Sequence, residues 1–399
     1  MSQVTPAPDC AVEMPRWPHY AADEREAVDR VLASGKVNYW TGTEGREFER
    51  EYAAHLGVKR AIGLMNGSVA LELALRMWGI GPGDDVVVAP RTFIASASCA
   101  VLLGARPVFA DVDRNSGNLT AETIERVLTP RTRAIIPVHL GGWPCDLAPL
   151  MDIARARGIK VLEDCAQANG AHVDGRIAGS FGDAAAFSFC QDKIITTGGE
   201  GGLLATDDEH MWERAWSFKD HGKTWEAVYG REHAPGFRWV HERFGTNWRL
   251  TEVQAAIGRV QLGKLEGWLG RRARLAAIYR KRLSSVPALR IPTVPDRVRH
   301  AYYRFYAYLE PAALKPDWNR DRVVSTIVEA GGRAFSGSCS EVYRERAFEG
   351  IDWLPGNRLP VARELGETSL AFLVHPTMTE GHVHAACDAI EAAVRQATR

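Results

Sequence analysis

Apolar and polar positions alternate along the chain in two regimes. From about residue 16 to about residue 207, short β-branched runs take turns with segments of helical period. VDRVLAS and EFEREYAAHLG space their apolar residues as helices do. NGSVALELALRMWGIGPGD predicts a helix opened by Asn66, Gly67 and Ser68 and closed by glycine and proline, and Val86, Val87 and Val88 predict the strand that follows. RPVFADVD, AIIPVHL, KVLEDCA and AAFSFC predict further strands, separated by helical stretches such as TAETIERVL and LAPLMDIARARG. This βαβα order implies an α/β fold with a mainly parallel sheet flanked by helices on both faces. Ligands then gather beyond the carboxyl ends of the strands.

The second regime begins near Leu250. The segment TEVQAAIGRVQLGKLEGWLGRRARLAAIYRKRL carries Val253, Ile257, Val260, Leu265 and Trp268 near helical spacing and is long enough to bridge two domains. After it, HAYYRFYAYLEP predicts a strand, DRVVSTIVEAGG a helix and GHVHAACDAIEAAVRQA a terminal amphipathic helix, together a smaller C-terminal α/β domain. The expected division is an N-terminal tail over 1–15, a large domain over 16–265 and a small domain over 266–399. No internal repeat or low-complexity segment interrupts it.

Composition narrows the class. The 399 residues are 46% hydrophobic and 25% charged, ordinary values for a globular protein. Lys+Arg and Asp+Glu both total 49, so no charge excess favours nucleic acid. No segment approaches the apolar length of a membrane span, and the N-terminus lacks the basic and apolar regions of a signal peptide, which points to a cytoplasmic protein without a membrane partner. The seven cysteines, at 10, 99, 145, 165, 190, 339 and 387, form no CxxC pair, and their odd number argues against a disulfide framework. His382 and His384 make an HxH without accompanying ligands, so no metal site is expected.

Four polar features fall where strands of the large domain should end. At Asn66-Gly67-Ser68-Val69, free backbone N–H groups and the helix dipole suit a phosphate, although the same residues also make an ordinary helix cap. In PRTFIASA, Phe93 either stacks on a planar ligand or packs in the core. KVLEDCAQANG ends a strand with Glu163, Asp164 and Gln167; a carboxylate there captures a cationic ring nitrogen or caps a turn. SFCQDKIITTGGEGG places Ser188 at a strand end and Lys193 just beyond it. GxxxxGK[ST], a helix-opening GxGxxG and GxSxG are all absent, which disfavours a triphosphate cradle and a serine esterase. An amine, a phosphate-binding helix start, a stacking aromatic and a carboxylate suit pyridoxal phosphate: the amine forms a Schiff base, the carboxylate keeps the ring nitrogen protonated and the ring accepts electrons.

The order of these pieces resembles the DegT/StrS-type sugar aminotransferases, pyridoxal-phosphate enzymes of fold type I. The resemblance runs from about Trp17 to the C-terminus through GVKRAIGLMNGSVALELAL, GPGDDVVVAPRTFIASA, RPVFADVD, AIIPVHLGGWPCD, VLEDCAQANGA, GDAAAFSFCQDK, GEGG and GTNWRLTEVQAAIG. It implies Lys193 as the Schiff-base lysine and acid–base group, Asp164 at the pyridinium nitrogen, Gln167 near the ring hydroxyl and Phe93 stacked on the ring. Ser68, the backbone around Gly67 and Val69, and Ser188 would hold the phosphate. Asn247 would reach the phosphate of the neighbouring subunit, giving a homodimer with shared active sites; read alone, an asparagine after glycine is a turn residue. One departure is an extra residue between Lys193 and GEGG. Relatives that dehydrate sugars carry histidine at the lysine position, so lysine here favours transamination.

The resemblance implies transfer of an amino group from L-glutamate or L-glutamine to a keto-sugar, foremost a nucleotide-linked keto-deoxyhexose, in antibiotic or polysaccharide biosynthesis. A keto-cyclitol is the rival acceptor, because CQDK is similar to the matching segment of some cyclitol aminotransferases. A relative that keeps the cofactor for regulation without turnover is the rival of another class, and the Lys193, Asp164 and Gln167 set argues against it. Tyr39 and Trp40 in GKVNYWTGTEG, His221 in KDHGK and Tyr343 in SEVYRE are candidate substrate contacts. Their alternatives are packing aromatics, a loop histidine and a core tyrosine.

Overall fold

The computed structural model describes residues 14–351 and 353–399, so Cys10 and most of the expected tail lie outside the described residues. Seven strands form the central sheet: β1 (Arg60–Leu64), β2 (Asp85–Val88), β3 (Arg106–Phe109), β4 (Thr132–Ile136), β5 (Lys160–Asp164), β6 (Ala184–Ser188) and β7 (Gly202–Thr206). Their spatial order is β1-β7-β6-β5-β4-β2-β3. Only β7 is antiparallel to its neighbours, so the sheet is mainly parallel, as the sequence implies.

Both faces of the sheet are buried, and alternation along each strand sorts its side chains between them. Val86, Val88, Leu162 and Leu204 pack with the helices Gly67–Met77, Ala95–Val101 and Glu209–Phe218. Val87 and Val161 face the opposite layer with Leu150 of the helix Leu147–Arg157, and Phe187 and Leu203 do so with Phe48 and Tyr52 of the helix Glu44–Leu56. Chain connections therefore emerge at the strand ends, where the sequence places its polar features.

A single helix, Glu252–Leu283, leaves this layer for the small domain; Thr251 caps it reciprocally with Gln254. Leu265 and Leu269 pack with the large-domain aromatics, whereas Leu275, Tyr279 and Leu283 pack with Phe305 and Phe372 of the small domain. Residue 266 thus lies inside a continuous helix that belongs to both cores. The small domain has its own sheet, β8 (Leu289–Arg290), β9 (Arg304–Leu309) and β10 (Ser369–Leu373), covered by the helices Arg320–Glu329 and Glu380–Ala397. Tyr343 and Phe348 return to the large core against Phe109. Among the described residues, no helix is long and apolar enough to cross a membrane.

Candidate active site

The start of the helix Gly67–Met77 meets the end of β6. Asn66 is its N-cap, and Asn66 Oδ1 accepts from Val69 N at 3.0 Å. The Val69 amide, expected among the phosphate ligands, is therefore spent on the cap. The first-turn amides of Gly67 and Ser68 have no partner within the helix. A Cβ on Gly67 would fall 2.9 Å from Ser188 Cβ and 3.1 Å from Phe187 O, so the close approach of helix and strand requires glycine there.

The glycines after Lys193 serve the same junction. A Cβ on Gly202, the first residue of β7, would lie 2.2 Å from Asn66 C. The loop before it is tied down: Trp17 Nε1 donates to Lys193 O at 3.0 Å, Thr196 N to Gln261 Oε1 at 2.9 Å and Thr197 Oγ1 to Glu200 O at 2.6 Å. This is the path taken by the stretch with the extra residue.

Asp164 ends β5 and is 6% exposed. Its Oδ2 accepts from Ser96 Oγ at 2.7 Å, Ser96 Oγ lies 2.7 Å from Thr92 Oγ1, and Oδ1 accepts from Ala166 N at 3.1 Å. Neighbouring Glu163 points to the other face of the strand. Its oxygens accept from Gly179, Phe181 and Gly182 amides at 2.7–2.8 Å and face His139 Nε2 at 3.0 Å, which makes it a loop anchor. Gln167 Oε1 accepts from Gly141 N at 2.6 Å, fixing the amide so that Nε2 turns toward Ser338.

These groups converge. Gly67, Ser68, Phe93, Asp164, Gln167, Ser188 and Lys193 all line one cavity of about 460 Å³. Phe93 is 69% exposed into it, unusual for a phenylalanine and suited to stacking. A second cavity of about 510 Å³ adjoins the first and shares Thr92, Phe93, Gln167, Asp192 and Lys193 with it. The small domain supplies its far wall with Tyr303, Arg304, Tyr306, Phe335 and Ser338.

Lys193 Nζ stands 3.7 Å from Asp192 Oδ1 and 5.0 Å from the centroid of the Tyr303 ring. Tyr303 donates its hydroxyl to Asp192 Oδ2. Burial pushes the Asp192 carboxyl up, but Lys193, the Tyr303 hydroxyl and Arg304 outweigh it and hold the group below the usual carboxylate range. Burial, with Asp192 reinforcing it, pushes the Tyr303 phenol well up, so the phenol stays protonated and the carboxylate ionised.

Four candidate substrate contacts lie elsewhere. Tyr39 is buried under Lys219, hydrogen-bonded through its hydroxyl to Glu49 at 3.0 Å and to Trp216 Nε1 at 3.1 Å. Trp40 stacks on Tyr229 and faces Asp220 through Nε1 at 3.3 Å. Tyr343 is a core residue whose hydroxyl donates to Glu341 at 2.6 Å. His221 is exposed with a left-handed φ of 58°. None of the four lines either cavity. Asn247 is exposed, paired across to Asp220 and also outside both cavities of its own chain.

Ser96, Asp192, Tyr303 and Arg304 escape the sequence reading. Thr92 and Ser96 stand four residues apart at a helix start, a spacing that places two hydroxyls on one face. Arg304 and Tyr303 had no such signal, because only the fold brings the small domain over Lys193.

The observed donors fit pyridoxal phosphate. The cradle at Gly67, Ser68 and Ser188 can take the phosphate, the Asp164 carboxylate the ring nitrogen, Phe93 the ring face and Lys193 the aldehyde carbon. Residues 18–391 match the model of the DegT/DnrJ/EryC1/StrS aminotransferase family. The chain is 35% identical over 361 residues to a UDP-N-acetyl-3-dehydro-alpha-D-glucosamine 3-aminotransferase from Acidithiobacillus ferrooxidans, covering 89% of this chain and 91% of that one. An aminotransferase structure from Psychrobacter cryohalolentis superposes with a TM-score of 0.94 at 48% identity, covering 96% of this chain and 100% of that one. The S. venezuelae DesV structure, in complex with a ketimine intermediate, gives 0.83 at 33% identity over 94% of each chain.

Proposed function

The chain belongs to the DegT/DnrJ/EryC1/StrS aminotransferase family, whose cofactor is pyridoxal 5'-phosphate, and on that footing we propose that it moves an amino group from L-glutamate or L-glutamine to a nucleotide-linked keto-deoxyhexose. The observation that carries this reading is the convergence of Lys193, Asp164, Phe93 and Ser68 on one cavity that opens into a second. When bound, the cofactor supplies an electron-accepting ring that carries the amino group from donor to acceptor. Asp164, oriented by Ser96, would hold a proton on the ring nitrogen. Phe93 would cover one ring face, the Gln167 amide would meet the ring hydroxyl, and Gly67, Ser68 and Ser188 would bind the phosphate. Lys193 Nζ would hold the cofactor covalently and would move the proton at the reacting carbon.

A second copy completes the site. Asn247 faces solvent in its own chain, and the segment before it exposes Phe237 at 76%, Trp239 at 84% and Phe244 at 100%. Aromatics so exposed favour a covering partner, which supports a homodimer with Asn247 at the neighbour's phosphate. The reading of acceptor class rests on the relatives: the Acidithiobacillus enzyme bears the name of a nucleotide-sugar aminotransferase. The test is a set of ketones offered to the protein after amino loading by L-glutamate. Nucleotide-linked keto-deoxyhexoses should return the near-visible band of the lysine-bound cofactor; a response confined to keto-cyclitols, or to no ketone, contradicts the assignment.

A further inference from the structure

The two cavities are lined by four carboxylates, Asp164, Asp192, Glu200 and Glu345, and among the described residues lining them only Lys193 and Arg304 are cationic. An amino-acid donor brings an α-carboxylate into this acidic cleft, and Lys193 is committed to the cofactor. Arg304 is built to receive an anion. Its guanidinium lies 4.4 Å from the Tyr303 ring centroid, and Nη1 donates to Tyr303 O at 3.1 Å, which fixes the plane of the fork. Nη2 stands 3.9 Å from Asp192 Oδ2, beyond hydrogen-bond reach, and neither Nε nor Nη2 has an acceptor among the described residues.

Spacing selects the kind of anion. Lys193 and Arg304 flank the same Asp192 carboxylate, Lys193 at Oδ1 and Arg304 at Oδ2. In an amino acid, one carbon separates the reacting nitrogen from the carboxylate, so a donor whose nitrogen takes the place of Lys193 Nζ presents its carboxylate within this span. A nucleotide diphosphate is separated from a ring ketone by the width of the sugar and would lie farther from Lys193. We propose that Arg304 is the carboxylate-binding residue for the amino donor, with the Tyr303 ring and carbonyl holding it in place. This rests on the aminotransferase reading above.

The experiment uses the full-length holoprotein with R304Q and R304K and follows the two half-reactions separately by near-visible absorbance. A lost charge-assisted carboxylate pair should raise the half-saturating L-glutamate concentration about thirtyfold in R304Q, with partial recovery in R304K. The maximal rate of the donor half and the keto-sugar half should each change by less than about threefold. An unchanged donor half overturns the proposal. So does a loss confined to the keto-sugar half, which would make Arg304 a diphosphate contact, and so does an equal fall in both halves, which would make it structural. Calorimetric binding of 2-oxoglutarate is the independent readout: it should weaken about thirtyfold in R304Q. Equal binding by wild type and variant, or none by wild type, overturns the proposal. If wild type takes no amino group from L-glutamate or L-glutamine, the aminotransferase reading itself fails; a working donor half that is the same in wild type and R304Q removes the Arg304 assignment alone.

Discussion

Asp164 and Glu163 are adjacent carboxylates with opposite employment. The β-strand sends Glu163 toward a ring of loop amides and Asp164 toward the cavity, where the Ser96 hydroxyl fixes it. The carboxylate that faces a ligand keeps room for one; the other has its oxygens filled. Asp164→Asn preserves shape and removes the charge that would hold a ring proton, so kcat should fall about 10²–10³-fold with the melting temperature little changed. Steady-state rates with thermal melts check this, and a wild-type rate would remove Asp164 from the mechanism. Residue chemistry was legible wherever it sat next to its strand end: Lys193, Asp164, Gln167, Phe93 and Ser68 all reach one cavity. It was not legible for Tyr39 and Tyr343. An aromatic beside glycines reads the same whether it lines a pocket or fills a core, and here Glu49 and Glu341 satisfy the two hydroxyls in buried settings.

At the level of elements, the glycine cluster after Lys193 gains a meaning that spacing alone did not supply. Gly202 opens the one antiparallel strand of the sheet and lies so close to Asn66 that no side chain fits between them. The junction seats β7 against the start of the helix Gly67–Met77. Gly202→Ala forces backbone apart and should cost about 3 kcal/mol of stability while weakening cofactor binding, because Asn66, Gly67 and Ser68 shift together. Denaturant unfolding and a cofactor titration measure both; an unperturbed variant would show that the junction yields freely. The predicted helices and parallel strands correspond to observed elements because their apolar periods are strong. β1 and β7 were harder to see. Arg60–Leu64 and Gly202–Thr206 are short, rich in glycine, alanine and leucine, and become strands by pairing with each other across the sheet.

For the whole molecule, the long helix Glu252–Leu283 joins two cores, and the small domain lays Tyr303 and Arg304 over Lys193. That juxtaposition depends on tertiary docking between segments 110 residues apart in sequence, which no local pattern encodes; Tyr303 and Asp192 are separated by 111 positions and share a hydrogen bond. The same limit applies to Asn247. It is placed outward by the pairing of its segment with Asp220, and no period or spacing in the sequence points to a partner for it. Borohydride reduction of the protein loaded with pyridoxal 5'-phosphate, followed by peptide mapping, should find the phosphopyridoxyl group on Lys193 and on no other lysine. A protein that shows no near-visible band and yields no adduct at Lys193 would contradict the account.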